Sequence, residues 1–75
     1  MDELEKRKRA VVRRERQAAV SLLNTQERLS NKKYKRAVAA IDRCCDSIYA
    51  ALAERKRYSE KRIRSLILEA RDAEL

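Results

Sequence analysis

Neither glycine nor proline occurs anywhere in the 75 residues, and that double absence restricts the fold more than any motif the chain carries. Tight hairpins draw on Gly for positive φ, and many turns are preset by Pro. Dinucleotide-binding domains and phosphate loops need glycines at set positions, and a β-sandwich needs turn chemistry this chain lacks. Ala, Leu, Arg, Lys and Glu are plentiful, and all of them favour helix. The chain reads as all-α.

Its size and missing residue types narrow the chemistry further. A chain this short buries only about 60% of the surface it exposes when unfolded, so residues 1–75 make at most one domain. Two cysteines and no histidine argue against a zinc site. With no imidazole base, and no carboxylate pair on an apolar face, no enzyme mechanism is expected. Neither a cofactor nor a small-molecule substrate is implied. Asp42 and Asp46 are i,i+4 neighbours on the polar side of a helix, where a solvated face is the simple meaning. No apolar run approaches the ~20 residues that cross a bilayer, and the Trp or Phe anchors of a membrane-surface helix are absent.

The apolar pattern is clearest in the middle. Tyr34, Val38, Ile41, Cys45, Ile48 and Leu52 step alternately by four and three, the spacing of a helix seam packed on another helix. Ala37, Cys44 and Ala51 widen that seam. Ser30 or Asn31 is the expected N-cap of a central helix running from about 30 to 57. A first helix, about 2–23, opens with Asp2, Glu3 and Glu5 and has an apolar arc of Leu4, Val11, Val12, Ala18, Ala19, Leu22 and Leu23. Asn24-Thr25 is the best break after it, since Asn tolerates left-handed C-cap geometry. A third helix, about 59–73, has Ile63, Leu66, Ile67 and Ala70 on one side and Ser59 as its cap. Nothing in the sequence forces a break between the second and third helices.

Two such helices form a hairpin ribbon with an uncovered apolar face. The expected cover is a second copy of the chain, giving a homodimer built as an antiparallel four-helix bundle with the seam from Tyr34 to Leu52 as its core. The alternative is a monomeric three-helix bundle with the third helix folded back. Adjacent Cys44 and Cys45 bond to each other only with strain, so Cys45 is expected in the core as a small apolar group, with Cys44 at the seam's edge. Free thiols suit a reducing, cytoplasmic compartment.

Charge is distributed in blocks. Twenty Lys and Arg against 12 Asp and Glu leave +8, and the bases cluster at residues 6–16, 32–36 and 55–64. A surface built for solubility would intersperse the signs, so the blocks point to a polyanion. On the side of the central helix away from Ile41, Lys32, Arg36, Ala39, Arg43, Ser47, Ala50 and Arg57 form a row of spaced cations between small residues. Lys6, Arg9, Arg13 and Arg16 form a second stripe on the first helix, and in a hairpin the two stripes are expected to share one surface. Thirteen of the 20 bases are Arg, whose planar fork matches phosphate oxygens. Aromatics for stacking on splayed bases are scarce, and no helix-turn-helix is recognisable. Double-stranded nucleic acid remains, and A-form RNA offers a wide, shallow minor groove that a flat helical face can meet. Two other readings stay open: a phage-type inhibitor or adaptor whose basic face binds an acidic protein, and a general DNA-binding helical protein.

In layout the chain resembles the nodavirus B2 proteins, viral suppressors of RNA silencing, across nearly all 75 residues: a first helix, a short break, a long central helix and a short third helix. The resemblance implies a homodimer that lies along double-stranded RNA without regard to sequence, shielding it from dicing and from loading in the host cytoplasm. It also implies that Arg36, Arg43, Cys44 and Ser47 are the nearest counterparts of that family's duplex-facing residues. Glu54 departs from the pattern, falling where a base is favoured.

Overall fold

The computed structural model describes residues 3–26 and 28–75, and Asp2, expected in the first helix, lies outside them. Three helices follow in order: α1 over Glu3–Asn24, α2 over Asn31–Ala53 and α3 over Glu60–Asp72. Each pair of helices is in contact, which makes an elongated bundle of 42 × 17 × 17 Å.

Local chemistry sets the boundaries. Ser30 caps α2, its side chain accepting from the Lys33 N–H at 3.2 Å, and Ser59 caps α3, accepting from the Arg62 N–H at 3.0 Å. Each hydroxyl satisfies one of the N–H groups that a helix start leaves unpaired. Glu3 and Glu5 occupy the first turn of α1, where the helix dipole favours acids. At the end of α1, the Thr25 hydroxyl donates to the Leu22 carbonyl at 2.8 Å. Asn24 does not adopt the left-handed conformation expected of it; among the described residues only Arg55 has a positive φ.

The break between α2 and α3 is real, and α2 ends at Ala53 rather than near Arg57. The Arg55 N–H donates to the Leu52 carbonyl and the Lys56 N–H to the Ala51 carbonyl, both at 3.0 Å. This paired closure is the Schellman motif, which requires a left-handed residue at its turn. With no glycine in the chain, Arg55 takes that place at a φ of 63°. A side chain there costs about 1–2 kcal/mol, yet the closure satisfies carbonyls that would otherwise be stranded.

The core runs the length of the bundle. Val12, Ala19 and Leu23 from α1, Ile41, Cys45, Ile48 and Leu52 from α2, and Ile63 and Ile67 from α3 form one buried cluster. Tyr34 and Val38 of the expected seam are only half-buried and pack against it, as do Cys44 and Leu66. From the sequence, the apolar ribbon of α1 and α2 is expected to be covered by a second copy. In the structure α3 of the same chain lies on it, with Ile63 and Ile67 at 0% exposure. Each such side chain contributes roughly 1.5–3 kcal/mol by leaving water, which favours the fold-back. Three members of the expected α1 arc are not core: Leu4 and Leu22 are 56% and 51% exposed, and Ala18 is exposed as well. Leu4 and Leu22 lie in the first and last turns of α1, and Ala18 lies off the line through Val12, Ala19 and Leu23, so the bundle does not cover them.

Candidate nucleic-acid interface

α2 has one face in the core, so its opposite face turns to solvent by helical geometry alone. Lys32, Arg36, Arg43 and Ser47 are all exposed there, with Ala39 and Ala50 between them. Arg57 is exposed too, but it belongs to the connection before α3 and not to the helical row. No ion pair holds Lys32, Arg36, Arg43 or Arg57 among the described residues. These guanidinium and ammonium groups are therefore free to meet an anion.

The stripe on α1 is brought beside α2 but is used differently along its length. Arg16 donates from Nε to Asp42 Oδ1 of α2 at 2.6 Å. That bond, with the Coulombic attraction of the same carboxylate, raises the Arg16 pKa above its ordinary value. Arg9 pairs with Glu5 at 3.4 Å and lies over the Tyr49 ring, 5.3 Å from its centroid. Its Nε is shut away from water with no hydrogen-bond partner. Arg9 and Arg16, expected as phosphate ligands of the stripe, are thus engaged between α1 and α2. Lys6 and Arg13 are exposed and, among the described residues, unpaired.

On the far side of α1, Glu15 receives Arg64 of α3 at 3.3 Å, and Arg14 reaches Glu60 at 3.5 Å. Glu15, Asp42 and Glu60 thus pair with arginines across the seams. Cys45 is 2% exposed, and burial foremost pushes its thiol up to about 11. Cys44 is half-buried, its pKa raised first by burial and then by the charge of Glu69. Both shifts favour the protonated thiol, which fits packing in the core. Among the described residues no group of His, Cys, Asp and Glu converges to hold a metal ion, and no helix is long and apolar enough to cross a membrane.

Some bases that belong to the charge blocks but to no face predicted from periodicity gain a place here. Lys33 lies at the start of α2, and Lys61 and Arg62 begin α3; all three are exposed. Their charge is plain in the sequence, but the position of the α3 pair relative to α2 depends on the fold-back of α3. Comparison with protein-family models, with curated proteins and with solved structures finds no match to the chain.

Proposed function

We propose that this protein binds double-stranded RNA without reading its sequence, through the outer face of α2. The observation that carries this reading is the division of its cations. Arg14, Arg16 and Arg64 are tied to carboxylates at the seams, whereas Lys32, Arg36 and Arg43, among the described residues, stand unpaired in a row on one exposed face. The start of α2 adds to it. Its first turn holds Lys32 and Lys33 and no acid, opposite to what the helix dipole favours. Misplaced cations of this kind cost about 0.3–1 kcal/mol each, so helix stability does not account for them, and an anionic ligand does. Ser47, Ala39 and Ala50 keep the row low, so that a broad shallow groove with 2′-hydroxyls can approach it.

By its resemblance to the B2 layout, this binding serves to shield duplex RNA from dicing and loading. The paired molecule expected from the sequence requires α3 to leave the seam it now covers, so that a second copy takes its place. Light scattering distinguishes that species, at twice the chain mass, from a single bundle.

The test is fluorescence anisotropy with duplex RNAs of unrelated sequence, titrated across salt, with duplex DNA and single-stranded RNA as competitors. The expected result is equal affinity for every RNA sequence, falling steeply with salt as counterions are released. Arg36→Ala with Arg43→Ala should weaken binding roughly tenfold or more without loss of helicity. Equal affinity for single strands overturns the reading. Co-purification with an acidic protein, and no duplex affinity at physiological salt, favours the adaptor instead.

A further inference from the structure

The outer face of α2 has two flanks, and they are not equivalent. Arg16 on Asp42 and Arg9 over Tyr49 place α1 on one side. Ala40 and Ala51, on the Cys44 side of α2, are covered to 8% exposure, which marks that side as the one α3 packs against. At 100° per residue, Arg36, Arg43 and Ser47 fall on the Cys44 side of the outward line of α2, while Asp42, Asp46 and Tyr49 fall on the α1 side. The unpaired arginines thus lean toward α3, and the carboxylates lean toward α1.

α3 answers with cations of its own. Arg64 and Glu60 mark the side of α3 that meets α1, through Glu15 and Arg14. Arg62 lies on the opposite side, toward α2, and Lys61 lies near the outward line; both are exposed. Between the two helices the surface is floored by small groups: Ala40 and Ala51 at 8% exposure, half-buried Cys44 and Ser65, and exposed Ser47. The short connection between Ala53 and Glu60 turns α3 back along α2, so Arg62, in the first turn of α3, comes level with the end of α2 near Ala51. Arg36, Arg43 and Arg62 then stand at roughly 10–12 Å intervals along the bundle, at 1.5 Å of rise per residue.

We propose that the RNA backbone lies along the furrow between α2 and α3, with Arg36 and Arg43 on one bank and Lys61 and Arg62 on the other, and not across the α1–α2 side. This rests on the duplex-binding reading above and assigns it a track on the single bundle, in which α3 covers the seam. A phosphate on the α1–α2 side meets Asp42 and Asp46, and two of the four stripe cations there are already engaged. On the α2–α3 side the acids are Glu69, which is exposed, Asp72, which pairs with Arg71 at 3.0 Å, and Glu54, which pairs with Lys56 at 3.7 Å.

The experiment compares three variants of the full chain on one duplex RNA across a salt series: Arg62→Glu, Lys6→Ala with Arg13→Ala, and Arg36→Ala with Arg43→Ala. Arg62→Glu should bind at least about tenfold more weakly and lower the salt slope by about one or more. It should melt no lower than the parent, since an acid in the first turn of α3 suits the helix dipole. Lys6→Ala with Arg13→Ala should bind within about twofold of the parent. If Arg62→Glu binds like the parent while the Arg36 and Arg43 variant is impaired, the track is wrong and duplex binding stands. If the Lys6 and Arg13 variant loses as much as Arg62→Glu, the one-sided track is again overturned. If the parent itself fails to bind, duplex binding and its track fall together.

Discussion

α2 is held to its two neighbours by different physics, and the contrast shows how the bundle separates stability from charge. Toward α1 the contacts above the core are polar: Arg16 on Asp42 at 2.6 Å and Arg9 over Tyr49. Toward α3 they are aliphatic, with Ile63 and Ile67 fully buried against Ile41, Cys45 and Ile48. The first arrangement consumes arginines and carboxylates together. The second consumes none, so the cations beside it stay available. A basic chain that folded with every flank like the α1 side would have little charge left for a ligand.

Three measurements test that contrast, beginning with the one of largest effect. Ile67→Ala removes an anchor of the aliphatic flank and should cost about 2–5 kcal/mol, as much as a domain this small can lose and stay folded. Urea or thermal denaturation followed by circular dichroism reads it directly. A loss below about 1 kcal/mol would mean that α3 is only lightly attached.

The second measurement uses pH, because the thiol of Cys45 lies between the two flanks. Its folded pKa is raised from the ordinary 9.0 to about 11, so the folded state holds the proton more tightly than the unfolded chain. That contribution is fully present below about pH 9 and is lost as pH rises toward about 11. Urea midpoints should therefore fall as pH rises from about 9 to about 11, and fall less in Cys45→Ala. Some decline should persist in that variant, since the pKa values of Cys44 and Tyr49 are raised in the same direction, by burial first in each case. An identical decline in parent and variant would show that Cys45 is wet.

The smallest effect belongs to the polar flank. Arg16 and Asp42 keep 43% and 46% of their side-chain surfaces exposed, so solvent screens the pair and Asp42→Ala should cost only about 0.2–1 kcal/mol. The same change releases Arg16 and removes a carboxylate, so duplex affinity should rise. A destabilisation matching that of Ile67→Ala would erase the distinction between the flanks.

Much of this architecture is legible in the sequence. The alternating steps through Ile41, Cys45, Ile48 and Leu52 identify the buried side of α2, and the exposed row of Lys32, Arg36, Arg43 and Ser47 follows from it. Ser30 and Ser59 cap the helices as their positions suggest. The cover of the seam is not legible, because Ile63, Leu66 and Ile67 make a stripe that fits its own chain and a second copy equally well. The engagement of Arg16 is hidden for a similar reason. Asp42 is 26 positions away, and no periodicity along one helix reports a partner on another.

The residues alone, then, determined that this chain is helical, which side of α2 is apolar and which side is charged. Those properties follow from propensity and from the 3.6-residue turn, which act within a single helix. The tertiary structure alone decided that α3 closes the seam, and that Arg9 and Arg16 are engaged between α1 and α2. Each of these depends on the relative placement of separate helices, set by how their side chains fill space together, and a periodic pattern within one helix does not contain it.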